Sequence, residues 1–159
     1  MPKICPFLWF NDQAEEAMRH YISIFKNSRV ISVQRHGNGE SATPGPVFMA
    51  VFELDGQTFM ALNGGPAHTF TEGISMFVDC DDQAEVDDLW EKLSAGGEEG
   101  RCGWLKDKFG LSWQIVPKAL GELLGGDDAE GASRAMQAML TMRKIDVQAL
   151  RAAYAGQPA

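Results

Sequence analysis

Short apolar runs alternate with longer amphipathic stretches along the chain. The apolar runs are typical of β-strands, and the amphipathic stretches place apolar residues at helical spacing. Strands are predicted at residues 4–10, 29–35, 47–54, 58–62, 74–80 and 111–116. Helices are predicted after Asp12 and Asp82, at 118–124 and 132–143, and after Asp146. The pattern therefore predicts a mixed α+β protein with a helical C-terminal part.

The start of the chain recurs in its middle. Asp12 and Asp82 each follow an apolar run and open a helix, with a glutamate three residues later at Glu15 and Glu85. Each pair predicts a helix N-cap with its capping-box partner. The shift between them is 82 − 12 = 70 positions. The repeated order of strand, cap and helix favours an internal duplication, although βα units also resemble one another by chance.

The two repeats also end alike. Gly56 and Gly110 each precede a final strand, at a smaller shift of 110 − 56 = 54 positions. The second repeat is therefore shorter, and the loss is predicted in its middle strands near residues 101–106. The sequence predicts a first βαβββ module at 1–63, a shortened second module at 64–117 and a helical extension at 118–159.

The last predicted strand, at residues 111–116, has two unlike faces. Alternation directs Trp113 and Ile115 to one face. It directs Ser112, Gln114 and Val116 to the other. The first face is apolar enough to be buried, whereas the second carries a single amide among small groups. The function therefore depends on what this second face contacts.

Composition excludes several classes of partner. The chain has 159 residues, a net charge of −8 and a hydrophobic content of 45%. Nucleic acids and anionic membranes attract clustered lysine and arginine, so neither is expected as a partner. Cys5, Cys80 and Cys102 form no CxxC pair and no metal-ligand spacing, which favours reduced thiols in the cytoplasm. The sequence shows no signal-peptide core and no apolar run long enough to span a membrane.

The C-terminal extension carries a methionine-rich stripe. Ala135, Met136, Met139 and Leu140 fall on one face of a predicted helix. Such a stripe is typical of adaptable packing or of a subunit interface rather than of a cofactor site. If the stripe is an interface, the chain would be mainly an interaction protein.

Four stretches resemble the PhnB-like branch of the vicinal oxygen chelate superfamily, a branch that is also named after demethylubiquinone methyltransferase. They are residues 6–10 (PFLWF), 62–66 (LNGGP), 107–117 (DKFGLSWQIVP) and the tail 139–150. The superfamily includes glyoxalase, extradiol dioxygenase and bleomycin-resistance proteins. The resemblance implies two βαβββ modules whose curved sheets face one another around a small-molecule pocket. It also implies a homodimer.

Enzymes of this superfamily commonly bind a divalent metal on the first and last strands of each module. The resemblance places those positions at Cys5, Met60, Ser75 and Gln114. Thiol, thioether and hydroxyl groups suit a hard or borderline cation poorly, and only the Gln114 amide is an ordinary oxygen ligand. No catalytic metal and no cofactor are therefore expected. The alternative is a metal-dependent lyase, isomerase or dioxygenase whose ligands this alignment does not reveal.

Five further residues are predicted to line the same pocket. They are Phe7, Trp9, His68, Phe77 and Trp104. Strand alternation places the aromatic residues on the same faces as the metal positions, and His68 would act at the pocket mouth as a general base. The alternatives are core packing for the aromatic residues and an exposed loop without a role for His68. Cys5 could be a nucleophile, but a buried thiol is the simpler interpretation.

The methyltransferase name has no support in the residues. In a doubly wound fold, S-adenosylmethionine requires a glycine-rich turn between a strand and a helix. Gly37-Asn38-Gly39 precedes a proline-rich loop, and Gly64-Gly65 precedes a connector. The sequence favours a metal-free, small-molecule-binding homodimer in which Gln114 orients the ligand. Methyl transfer remains the alternative that the family name suggests, and the identity of the ligand is left open.

Overall fold

The protein, described by a computed structural model over residues 2–37 and 45–157, forms two compact units that divide between Phe70 and Thr71. The first unit contains β1 (Phe7–Phe10), α1 (Ala14–Ile24), β2 (Arg29–Arg35), β3 (Val47–Leu54) and β4 (Gln57–Asn63). The second begins with β5 (Met76–Cys80), α2 (Gln83–Ser94), β6 (Glu98–Glu99), β7 (Trp104–Lys106) and β8 (Ser112–Pro117). It continues with α3 (Lys118–Leu124), α4 (Ala129–Leu140) and α5 (Val147–Tyr154).

Both units have the same sheet topology. The strand order is β1-β4-β3-β2 in the first sheet and β5-β8-β7-β6 in the second. In each sheet the first and last strands of the unit pair in parallel, and the other pairs are antiparallel. The predicted α+β fold of two βαβββ modules and C-terminal helices is confirmed. A common origin of the two units stays a prediction.

The first sheet buries one face against α1. Leu8 and Phe10 of β1 are buried, whereas Phe7 and Trp9 alternate with them and lie on the other face. The helix contributes four buried residues, Ala14, Ala17, Met18 and Tyr21. Strand β1 starts at Phe7 rather than at the predicted Ile4, because its pairing with β4 begins only at Phe7. The loop predicted around residues 37–46 falls largely outside the described residues.

The second sheet has the same layered arrangement with shorter middle strands. Helix α2 buries Val86, Leu89, Trp90 and Leu93. Strands β6 and β7 have 2 and 3 residues, against 7 and 8 for β2 and β3. The middle strands of the second unit are thus the shorter ones, and the loss of residues near 101–106 stays a prediction.

The two helix starts, predicted to be alike, differ. Asp82 caps α2 as predicted and accepts a hydrogen bond from the backbone N–H of Glu85. The prediction that Asp12 caps α1 is wrong, because that helix starts at Ala14 with Gln13 at the N-cap. The Ala14 N–H instead donates to Asn63 Oδ1 at 2.8 Å, so a residue from β4 satisfies the helix terminus.

The C-terminal helices form a small core of their own. Its buried members are Val116, Leu120, Ile145 and Leu150. Asp128 and Asp146 cap α4 and α5, so α4 starts earlier than the pattern predicted. Among the described residues, no helix is both long and apolar enough to cross a membrane.

Candidate functional site

A buried aspartate fixes the start of β8. Asp107 Oδ1 accepts hydrogen bonds from the backbone N–H groups of Phe109 at 2.9 Å and Leu111 at 3.1 Å. Its Oδ2 accepts one from Trp113 Nε1 at 2.9 Å. Because Trp113 is held on the buried face, strand alternation turns Gln114 to the opposite face.

The face that Gln114 shares borders a cavity in the second unit. Gln114 pairs with Phe77 of β5 on one side and with Trp104 of β7 on the other, so the three side chains form one row across the sheet. The cavity has a volume of about 360 Å³ and is lined by this row together with Asp79, Cys102 and Val116. Three of the predicted pocket residues therefore come together.

The C-terminal helices form the other side of this cavity. The lining residues from α3 and α4 are Lys118, Leu120, Gly121, Leu124 and Met139. The sequence analysis placed residues 118–124 in a helix and Met139 in a stripe for packing or a subunit interface, and it did not predict that they face the Gln114 side of the sheet. A usable signal was the apolar Val116, which shares a strand face with Gln114 and lies next to α3.

Gln114 and Ser75, the two predicted metal positions of the second unit, are bonded to each other. Gln114 Nε2 donates to Ser75 Oγ at 3.0 Å. This is the only side-chain hydrogen bond of Gln114 within the part of the chain that the structure describes. The carbonyl oxygen of the amide and its second N–H therefore remain for a ligand.

The charged groups at the cavity neutralise one another. Lys118 Nζ forms ion pairs with Asp79 and, at 3.5 Å, with Asp81. The hydrogen bond to Asp79 raises the pKa of Lys118, so the amine stays charged at neutral pH. Since Asp79 and Lys118 are the charged residues that line the cavity, its lining has no net charge.

The other predicted site residues lie in the first unit. Phe7 pairs with Met60 across β1 and β4, and the Met60 N–H donates to the Pro6 carbonyl at 2.9 Å beside Cys5. Phe7 remains 48% exposed, and Cys5 is half-buried. The first unit therefore presents a row like that of the second, with a thioether at Met60 where the second has the Gln114 amide.

Trp9 and His68 pack against each other near the end of β1. Their ring centroids lie 4.7 Å apart in an edge-to-face arrangement, and Trp9 Nε1 donates to the Gly65 carbonyl at 2.9 Å. A Cβ atom at Gly64 would lie only 2.3 Å from Trp9 Cζ2. Gly64 therefore makes room for the indole, and His68 is an exposed residue held against it.

The donor groups at the four metal positions do not fit a divalent cation. In the second unit, the Ser75 hydroxyl and the Gln114 amide are engaged with each other. In the first, Cys5 and Met60 offer soft sulfur atoms, which hard cations bind poorly. Within residues 2–37 and 45–157, no group of three or more His, Cys, Asp or Glu side chains could hold a metal ion.

Two units, each with one strand, a helix and three strands in the same edge-to-edge order, define the fold of the vicinal oxygen chelate superfamily. The sequence profile of the family described as 3-demethylubiquinone-9 3-methyltransferase matches residues 2–116. The chain belongs to this family. The predicted PhnB-like branch is confirmed by the profile and by a solved relative that bears the PhnB name.

That relative is a PhnB protein from Bacillus cereus, which has been given the same methyltransferase name. It is 36% identical, has a TM-score of 0.66, and the match covers 73% of this chain and 99% of the relative. A Pseudomonas aeruginosa protein is 21% identical with a TM-score of 0.61, covering 74% and 98% of the two chains. The fosfomycin resistance protein FosX from Listeria monocytogenes is 14% identical with a TM-score of 0.49, covering 74% and 93%. A search of curated protein sequences gave no significant match.

Proposed function

We propose that this chain is a small-molecule-binding protein whose ligand occupies the cavity between β8 and the C-terminal helices. The observation that carries the proposal is the row of Phe77, Gln114 and Trp104, which lines that cavity with two aromatic rings and one amide. Ligand pockets combine apolar walls with a few polar groups that fix orientation. The volume of about 360 Å³ lies at the lower end of the range for such pockets.

Gln114 orients the ligand in this proposal. Its Nε2 is anchored on Ser75 Oγ at 3.0 Å, which holds the amide plane in one orientation. The amide oxygen then accepts a hydrogen bond from a ligand donor, or the remaining N–H donates to a ligand carbonyl. Gln114 is half-buried, and a ligand that covers its amide without forming this bond leaves a polar group unsatisfied, so the amide discriminates between ligands that can and cannot form the bond.

The proposed function is metal-free, because the donors at Cys5, Met60, Ser75 and Gln114 suit no hard cation. A metal-dependent lyase, isomerase or dioxygenase is the competing function. Elemental analysis of protein purified without chelator separates the two. A stoichiometric metal that is lost in both Cys5→Ala and Gln114→Ala would favour the enzyme.

The residues also do not fit the cofactor that the family's methyltransferase description implies. A cofactor carboxylate or phosphate would bind at a helix N-terminus through unpaired N–H groups. The Ala14 N–H of α1 donates to Asn63, and the Glu85 N–H of α2 donates to Asp82. At both βα junctions, a helix N–H group thus already donates to a side-chain oxygen of the protein. These junctions therefore give no support to methyl transfer.

A homodimer in the cytoplasm completes the proposal. Each unit leaves large apolar side chains exposed, Phe7 at 48% in the first and Ile74 and Phe77 at 62% and 59% in the second, and a partner subunit would cover them. The three cysteines are free thiols, as is usual in a reducing compartment. Sedimentation velocity tests the dimer, and a concentration-independent monomer would contradict it.

The ligand-binding role is tested by a thermal-shift screen of small molecules against wild type, Gln114→Ala and Gln137→Ala. Gln137 lies exposed on α4 and serves as a matched control. We expect compounds that stabilise wild type and Gln137→Ala but stabilise Gln114→Ala less. Equal shifts in all three proteins for every active compound would reject the role of Gln114.

A further inference from the structure

We infer that helices α3 and α4 form a fixed wall of the ligand cavity, that Met139 sets its depth, and that the cavity selects an uncharged aromatic molecule. This inference rests on the proposed function and adds the class of ligand and a residue that determines specificity. Three observations carry it: how firmly the helices are docked, where the family match ends, and which groups line the cavity.

The connection between α4 and α5 is anchored to the connection between β6 and β7 through backbone groups. The N–H groups of Cys102 and Gly103 donate to the carbonyls of Met142 and Arg143 at 2.8 and 2.9 Å. A Cβ atom at Gly103 would lie 2.9 Å from Ile145 Cδ1, so this glycine admits the isoleucine to the sheet. These hydrogen bonds hold the segment in place, so it is not a loosely attached lid.

The side chain of Gln83 on α2 also holds the α4–α5 connection in place. Gln83 Nε2 donates to the Ile145 carbonyl at 2.9 Å, and Gln83 Oε1 accepts from the Val147 N–H at 2.7 Å. One amide thus satisfies both sides of the turn that leads into α5. Because Ile145 is fully buried, the turn cannot detach from the rest of the unit without exposing an apolar side chain to water.

The wall lies outside the residues that the family profile matches. The family profile ends at residue 116, and α3 begins at Lys118. The sheet side of the cavity, with Phe77, Trp104 and Gln114, lies within the matched residues. Ligand selection by the wall would therefore come from residues beyond the profile match, acting together with a sheet face within it.

The lining indicates an uncharged aromatic ligand. Phe77 and Trp104 offer aromatic faces from the sheet, and the Met139 thioether faces the same cavity from α4. Aromatic rings pack favourably on other rings and on methionine sulfur. The charged residues of the lining, Asp79 and Lys118, form a half-exposed ion pair, so the lining offers a ligand ion no net opposite charge.

The experiment uses two fluorescent probes that share their ring system. N-phenyl-naphthylamine is neutral, whereas anilinonaphthalene sulfonate adds one negative charge. We expect the neutral probe to bind wild type about tenfold more tightly than the anionic one. Met139→Trp fills the cavity with a larger side chain. Overpacking of this kind should weaken the affinity for the neutral probe by about tenfold or more.

Met136→Trp is the matched control, because Met136 lies on the same helix and is 38% exposed. It should keep wild-type affinity for the neutral probe. Met139→Ala tests the same point if the tryptophan variant fails to fold, since the deeper cavity should bind the larger neutral dye Nile red more tightly than wild type does. Circular dichroism melting reports whether each variant is folded.

Each result decides the inference. If Met139→Trp binds the neutral probe like wild type while Gln114→Ala gives weaker shifts in the ligand screen, the wall is not part of the site and the proposed function stands. Tighter binding of the anionic probe would overturn the assignment of an uncharged ligand. Failure of wild type to bind the neutral probe would overturn the ligand class, while the screen still decides the proposed function.

Discussion

Trp113 and Asp107 form a buried pair in which the indole Nε1 donates to the carboxylate Oδ2 at 2.9 Å. The same carboxylate accepts two backbone N–H groups of the turn that precedes β8. One side chain therefore fixes both the turn and the position of the strand that carries Gln114. This relationship leads to the first of four predictions.

Replacing Asp107 should destabilise the second unit. Asp107→Ala leaves the N–H of Leu111 and the indole N–H of Trp113 without their acceptors, and we expect the free energy of unfolding to fall by about 2–4 kcal/mol. Urea denaturation measures the loss. Asp127→Ala, at an exposed position on the α3–α4 connection, is the control and should change stability little. Equal stability of the two variants would show that the buried bonds contribute nothing net.

Gly64 should tolerate no side chain. A Cβ atom there would overlap the Trp9 ring, so Gly64→Ala must displace the indole from its bond to Gly65, and we expect a loss of about 1–3 kcal/mol. Gly121 is the control, because a Cβ atom on it meets nothing within 4 Å. Gly121→Ala lies in a helix and should stabilise by about 0.5–1 kcal/mol. Thermal melting of both variants gives the comparison.

The three cysteines should differ in reactivity. Burial, together with the nearby charges of Glu85 and Asp79, raises the pKa of Cys80 to about 12. Because the thiolate is the reactive form, Cys80 should resist iodoacetamide in the folded protein, whereas the half-buried Cys5 and Cys102 react. Mass spectrometry of native and urea-unfolded samples locates the label. Rapid native labelling of Cys80 would contradict its burial.

Acid should remove one stabilising contribution from the first unit. The hydrogen bond from Arg35, at 2.6 Å, lowers the pKa of Glu15 below its ordinary value of 4.5, and Arg19 adds to the effect. A lowered pKa means that the contribution is complete above 4.5 and is lost as the pH falls through the folded-state pKa. Glu15→Gln should therefore be less stable than wild type at neutral pH, by at most about 1 kcal/mol because the pair is partly exposed.

The difference between Glu15→Gln and wild type should vanish in acid. Urea midpoints measured at neutral pH and well below 4.5 test this, with Glu122→Gln on the exposed side of α3 as the control. A difference that persists in acid would mean that the loss comes from packing and not from charge.

The fold followed from local patterns, and the differences at the starts of β1 and α1 have tertiary causes. Strands β2 and β3 occur at their predicted limits, because apolar residues there run up to clear turn signals. Asp12 has the right type and spacing for a helix cap, yet Asn63, distant in sequence, provides the acceptor for α1. A local motif cannot reveal that a strand delivers a competing side chain to the same N–H groups.

For the candidate site, the sequence predicted which strand faces matter but not what covers them. Alternation placed Phe77 and Gln114 on one face, and their cross-strand pairing agrees with it. The sequence assigned Met139 to a packing stripe, and the structure adds a place in the cavity lining. Helical spacing gives the direction of a side chain relative to its own helix but not the surface against which that helix docks.

By itself, the sequence determined the elements apart from β6 and β7, their repeated order, and a row of donors ill-suited to a metal ion. These features depend on alternation, capping and side-chain chemistry, which act over a few residues. Only the tertiary structure decided that the C-terminal helices dock beside Gln114 and enclose the cavity with Lys118 and Met139. That docking depends on backbone hydrogen bonds and burial of Ile145 between segments far apart in the chain, which no local pattern encodes.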